Sequence, residues 1–410
     1  MKKYGTNSER MQNHNRSLIL QILSKKKYCT RTDLANWTGL TQAAISKLVG
    51  EMIEANIVVE SLCPSGKLGH RIIGLSLNSQ LCKVLAVKIA RGSFDVAVFW
   101  LAGEMIDSSH TVVDMKTQTP REVLEMIKLK MHSSLEQYPD IKAIGVAVPG
   151  PYLRNEGRIA IMSEYSGWSQ INLYKELTEE FTSAPIIMEH DTTASVFAEW
   201  SFNENYEYHK SGVLVSIDAS EGFGAGVINN GEVQLGADGA ACEIGHMSID
   251  INGPRCVCGN RGCLELYCSA LAFAKMVRSD LEEHPESSLN KEREITAAVV
   301  FRHMRQGDAF SIEEVRKVGR YFGYGLANVV YLYNPREVVI TDIMSGGGDI
   351  LLETAKEVVR ERTLPELHKN LIIRMSNLKY DHILMGAMAL ASDMLLENPS
   401  DLFAVHGAAE

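Results

Sequence analysis

The chain reads as an α/β protein that opens with a winged helix-turn-helix, and three observations carry that reading. From residue 84 onward, β-prone runs alternate with long helical patterns, the arrangement that builds α/β layers. Residues 1–80 hold 11 Lys and Arg against 5 Asp and Glu, whereas the rest of the 410-residue chain holds 30 against 46. Within that basic head, Ala35, Gly39 and Ile45 are spaced as a small residue at a helix contact, a glycine in the turn and an aliphatic plug under the second helix.

The head resolves into three helices and a hairpin. Leu18, Ile19, Ile22 and Leu23 mark the first helix, and Lys25, Lys26 and Lys27 stand near its C-terminal end, where cations suit the dipole. Thr30 is a natural N-cap for a second helix that carries Leu34 and Ala35 and stops near Gly39. Thr41 caps a third, with Ile45, Leu48, Val49 and Met52 on one face and Gln42, Ala43, Ser46 and Lys47 on the other. Two β-prone runs at 57–62 and 72–77, joined by CPSGKLGHR, read as a hairpin wing whose Lys67, His70 and Arg71 reach phosphates. A basic head on an acidic body is the asymmetry of a small DNA-binding module attached to a regulatory domain. Gln42 and Lys47 are then expected at base edges and Ser46 on a base or phosphate, with Thr41 and Ala43 beside them. The alternative is a three-helix module that binds protein.

In the body, strands are expected at 84–89 and 94–100, joined by a turn at 91–93, and at 143–148, 186–189, 213–217, 226–228 and 337–340. Helical patterns fall at 120–135, 192–200 and 313–332. No repeat of fixed period and no low-complexity segment is visible. No apolar run reaches membrane-spanning length and the N-terminus MKKYGTNSER lacks a signal peptide's apolar segment, so a cytoplasmic protein is expected. Eight cysteines in that compartment favour metal and reduced thiols over a disulfide framework.

Chemistry concentrates in CEIGHMSIDINGPRCVCGNRGCLELYC, from Cys242 to Cys268. His246, Cys256, Cys258 and Cys263 supply three thiols and an imidazole, the ligand set of a closed tetrahedral Zn2+ site. With no open coordination position the zinc is structural; ordinary reduced thiols are the alternative. Glu243 and Glu265 bracket the clamp, and a pair of fixed acceptors is what a site needs to read sugar hydroxyls. Taken alone, the two glutamates also fit a solvated surface.

The run GHMSIDINGPRCVCGNRGCLELYCS resembles the signature of the ROK family of repressors, open reading frames and sugar kinases, and looks closest to its xylose-repressor branch. The resemblance runs from about residue 13 to the C-terminus. It implies an actin-like, two-lobed sugar-binding body, with Glu243, His246 and Glu265 as sugar contacts and His246 also on zinc. The domains expected on that basis are 1–80, the winged helix-turn-helix; 81–198, a first lobe completed by a C-terminal helix at 385–400; and 199–384, a second lobe with the zinc-stapled loop and oligomerisation helices.

In kinases of this family an Asn-Asp-Ala motif carries the catalytic base; the matching triplet is His190-Asp191-Thr192, so Asp191 is kept as a vestigial base and sugar contact. An N-cap role is its alternative. The three phosphate loops depart further. The first aligns with Lys88-Ile89-Ala90-Arg91-Gly92, the second with Ser220-Glu221-Gly222-Phe223-Gly224, and the third with Thr341-Asp342, just ahead of Gly346 to Gly348. Phosphoryl transfer depends on positioning and charge stabilisation of phosphates, which Glu221 opposes.

The resemblance thus implies a repressor without kinase activity, bound to double-stranded operator DNA as a homodimer or dimer of dimers, away from any membrane, and released by a xylose- or glucose-like monosaccharide. His190 and Cys242, where the family usually has Asn and Gly, keep open a body that answers to a protein or a phosphorylated ligand. A bifunctional sugar kinase is the third reading.

Overall fold

Three helices, α1 (Ser8–Lys25), α2 (Arg31–Thr38) and α3 (Gln42–Glu54), lead into an antiparallel hairpin of β1 (Val58–Pro64) and β2 (Arg71–Leu77). The computed structural model describes residues 8–26, 28–64, 71–162, 165–202 and 212–404. Thr30 starts α2 through a reciprocal capping box with Asp33, its own N–H donating to Oδ2 at 2.9 Å and Asp33 N–H donating to its Oγ1 at 3.1 Å. Gly39 ends α2 in the left-handed conformation, and Thr41 caps α3 by accepting from Ala44 N–H. Ile45, Leu48, Val49 and Met52 are buried, as their spacing predicts, while Thr41, Gln42, Ala43, Ser46 and Lys47 are exposed on the opposite side. Cys29 and Leu75 exchange backbone hydrogen bonds and tie the entry of α2 to the hairpin. Lys67 and His70 lie outside the described residues, and Arg71 enters β2 opposite Pro64.

The body holds two five-stranded sheets. The first has the order β5-β4-β3-β6-β9, from β3 (Lys83–Ile89), β4 (Ser93–Trp100), β5 (Met105–Val112), β6 (Ile141–Val148) and β9 (Ile186–His190); a short pair, β7 (Tyr152–Leu153) and β8 (Arg158–Ile159), lies between the last two in sequence. The second has the order β12-β11-β10-β13-β14, from β10 (Val213–Ala219), β11 (Phe223–Asn229), β12 (Glu232–Val233), β13 (Glu337–Thr341) and β14 (Ile372–Met375). Read by order of appearance, both sheets run third, second, first, fourth, fifth. Both also place their first strand antiparallel to the second and parallel to the fourth. The duplication that no sequence repeat reveals is therefore present in topology.

Two compact units emerge. One comprises residues 1–147, 173–188 and 387–410, and the other 148–172 and 189–386. In the first, the C-terminal residues pack on the head. Arg16 pairs with Glu51 at 2.7 Å and lies 4.2 Å over the Phe403 ring. Burial lowers the Lys25 ammonium to about 8 against the opposing pull of Asp393 and Glu397. In the second, the helix Ala309–Tyr333 packs along Gly348–Arg362, and the core closes with Phe223 edge-on to Phe322 at 5.1 Å and Phe273 stacked on Phe301 at 5.5 Å.

The structure extends several expectations. The strand expected at 226–228 runs from Phe223 to Asn229. Its glycines read as weak strand formers, yet a Cβ on Gly226 would stand 2.1 Å from Thr192 O, so the helix Asp191–Phe202 needs that bare backbone to pack. Strands β5 and β14 and the helix Gly348–Arg362 were not legible. No helix among the described residues is long and apolar enough to cross a membrane.

Candidate functional site

The cysteine loop folds back on itself through short backbone bonds. Cys256 N–H donates to Asn260 O at 2.9 Å, Gly262 N–H to Pro254 O at 2.9 Å, and Ser248 bridges Cys263. Gly262 has φ +62° and a Cβ there would lie 1.8 Å from Asp250 O, so this turn admits only glycine. The result brings one donor atom each from His246, Cys256, Cys258 and Cys263 within 4.8 Å of one another. Cys258 Sγ lies 3.7 Å from Cys263 Sγ, and Cys256 Sγ lies 3.6 Å from His246 Nδ1. Zinc–sulfur and zinc–nitrogen bonds of about 2.3 and 2.05 Å at tetrahedral angles give edges of about 3.8 and 3.6 Å. The group can therefore hold a metal ion. Burial raises the Cys256 thiol and lifts that of Cys263 to about 12; a bound cation would reverse this by stabilising the thiolates.

Glu243, three residues before His246, is one of the residues expected to hold a sugar. Burial raises its carboxyl, and the charges acting on it are those of His190, His246, Asp191 and Glu265. Glu243 Oε1 is buried and makes no hydrogen bond to any described residue, an acceptor left for a ligand or water. Asp191 is the first residue of its helix, and its Oδ1 accepts from Thr192 N–H at 2.7 Å. Glu265 Oε2 accepts from Phe223 N–H at 3.3 Å. The residue whose role sequence reasoning missed is His190. It is buried, with Nε2 at 3.0 Å from Asp191 Oδ1 and Nδ1 at 4.0 Å from Glu243 Oε1, so an imidazole links two of the expected contacts. Its departure from the family's Asn was the available signal. Cys242, at the family's glycine, holds φ +67°, a conformation that costs an L residue about 1–2 kcal/mol, and its Sγ lies 3.4 Å from Tyr333 Oη.

The loop at 220–224 is a tight turn between β10 and β11, with Ala219 paired to Phe223. Ser220 N–H donates to Gly222 O at 3.1 Å and Phe223 N–H donates to Glu265. Two amides of this loop are thus already engaged within the protein. After β13, Asp342 stands where a kinase has glycine and adopts φ 62°, ψ −155°.

A family model described as the ROK family matches residues 84–394. The xylose repressor of Caldicellulosiruptor bescii is 27% identical over 389 residues, covering 93% of this chain and 96% of that protein. The DNA-binding transcriptional repressor Mlc of Escherichia coli is 25% identical over 387 residues, 93% of each chain. Among solved structures, a ROK family transcriptional regulator, homolog of the E. coli Mlc protein, superposes with a TM-score of 0.79 at 24% identity, over 96% of this chain and 98% of that one. A ROK family glucokinase from Streptomyces griseus, in complex with glucose and AMPPNP, gives 0.68 at 21% identity over 75% of this chain and 99% of its own. These likenesses give an α/β regulator-like fold with an actin-like body of the sugar-kinase type, preceded by helices. By its family match across most of its length, the chain belongs to the ROK family.

Proposed function

We propose that the chain is a sugar-responsive transcriptional repressor: a winged helix-turn-helix head at 1–80, a first lobe at 81–198 completed by the C-terminal helix, and a second lobe at 199–384 that carries the cysteine loop. The observation that carries the effector reading is the buried, unbonded Oε1 of Glu243, on whose carboxyl the charges of His190, His246, Asp191 and Glu265 act. Such acceptors suit vicinal hydroxyls and reject ligands lacking them. One Zn2+ on His246, Cys256, Cys258 and Cys263 supplies a structural clamp, and ligation through Nδ1 leaves His246 Nε2–H to donate to the sugar. The exposed face of α3, with Thr41, Gln42, Ala43, Ser46 and Lys47, enters a major groove, while Lys67 and Arg71 of the wing hold phosphates. A dimer, or dimer of dimers, matches a two-fold operator.

The engaged amides at Ser220 and Phe223, with Glu221 between them, support a body without phosphoryl transfer. Xylose- and glucose-like monosaccharides are the ligands expected. The test is operator release: purified protein on operator DNA, titrated with each sugar, releases DNA with one of them.

A second reading rests on His190. His190 stands where the family usually has Asn, with its ring nitrogens held by Asp191 and Thr192, which favours a ligand other than the free sugar, such as a phosphorylated one. Release by a sugar phosphate, with none by the free sugar, would favour it.

A further inference from the structure

A second donor cluster lies away from the cysteine loop. Asp218 stands next to last in β10, Asp342 directly follows β13, and His382 opens the helix His382–Glu397. Strands β10 and β13 run parallel with Asp218 opposite Thr341, which brings both aspartates to the same sheet end. One donor atom from each of the three residues lies within 4.8 Å of the other two.

Burial separates this group from an ordinary acidic surface. Asp218 is 5% exposed and His382 is 7% exposed. His382 Nε2 sits 3.3 Å from Asp218 Oδ1, whereas Asp218 Oδ2 is buried with no hydrogen-bond partner among the described residues. Buried carboxylate oxygens are normally bonded, so this one is an acceptor open to a ligand or water within a histidine–aspartate cluster. Asp342 adds a backbone at φ 62°, ψ −155°, a region nearly exclusive to glycine, and that conformation places its carboxylate in the group.

We propose that Asp218, Asp342 and His382 form a second cation site that takes one divalent ion of the Mn2+ class. Two carboxylates and one imidazole make a mixed oxygen–nitrogen set: the imidazole favours first-row metals over Ca2+, and the absence of sulfur separates it from the thiolate centre. Three protein ligands leave coordination positions for water or a ligand oxygen. Binding displaces the imidazole proton and replaces the His382–Asp218 bond with two bonds to one ion, which pins the ends of β10 and β13 to the start of the helix.

The experiment is a Mn2+ titration of the full chain, its thiolate centre already filled with zinc, followed by the electron paramagnetic resonance of free Mn2+. One Mn2+ per chain should bind. Loss of an outer-shell partner alone costs about 10–100-fold in metal affinity, so Asp218→Asn and Asp342→Asn should each weaken binding at least about tenfold. Glu361→Gln, exposed on the helix Gly348–Arg362, should bind Mn2+ as the parent does. Circular dichroism and melting curves verify folding, and either isosteric variant serves if the other fails to fold. No uptake at millimolar Mn2+, or equal uptake by the parent and both folded Asn variants, would overturn the assignment.

Discussion

His190 Nε2 lies 3.0 Å from Asp191 Oδ1, and the opposite ring nitrogen stands 2.9 Å from Thr192 Oγ1 and 4.0 Å from Glu243 Oε1. The imidazole therefore stands between an aspartate and a glutamate expected to contact a sugar. Under the proposed reading, the hydroxyls of a sugar bind the acceptor positions that His190 leaves open on these carboxylates.

That pair has a pH signature. Burial works against the His190 cation, but Asp191, Glu243 and Asp218 outweigh it and lift the imidazole from 6.5 to about 9. A raised histidine stabilises the fold fully below its unfolded value and loses that contribution as pH rises through the folded one. The melting temperature of the parent minus that of His190→Asn should therefore be largest near pH 6 and shrink towards pH 9.5. A difference independent of pH would show that His190 is neutral in the fold.

Removing a thiolate tests the clamp. Cys258 is exposed, so Cys258→Ser leaves the core intact while removing one of four ligands. Elemental analysis should find about one zinc per chain in the parent and far less in the variant, with a lower melting temperature because metal affinity is coupled to folding. Equal metal content and equal melting would exclude the site.

On the face proposed to meet DNA, Lys47 is exposed on α3 and free of the packing that holds Ile45 and Leu48. Lys47→Ala should weaken operator binding without lowering the melting temperature. If Lys47 holds a phosphate, the slope of log affinity against log salt should flatten by about 0.9. A complex with one protomer on asymmetric DNA would contradict the two-fold geometry.

Incubation with ATP and common hexoses or pentoses should give no sugar phosphate in a coupled assay. Turnover that disappears in Asp191→Asn would restore the kinase reading.

What was legible followed from how locally each feature is encoded. The four side chains that can hold a metal ion lie within eighteen residues, and the burial of α3 follows its own helical spacing, so both features are encoded locally. Strand β5 was not legible, because Met105–Val112 carries Asp107, Ser108, Ser109 and His110 and every residue of it is exposed or half-buried. The sharing of residues 387–410 with the head is a long-range contact with no local pattern. Asp218, Asp342 and His382 come from three distant segments, and only the pairing of β10 with β13 and the placing of the last long helix assemble them. At His190 the sequence signalled a substitution but not its partners.

The central claim is that a sugar bound among Asp191, Glu243, His246 and Glu265 releases the head from DNA. A ligand shifts an equilibrium only by its affinity difference between two states, so an inducing sugar must bind the DNA-free form more tightly. The most direct measurement follows operator release against inducer concentration for the parent, Glu265→Ala and Asp191→Ala, each verified as folded and metal-loaded. Both variants should bind operator as the parent does yet fail to release it at the inducer concentration that frees the parent. Release by both variants at that same concentration would contradict the pocket assignment and leave the account without its effector site.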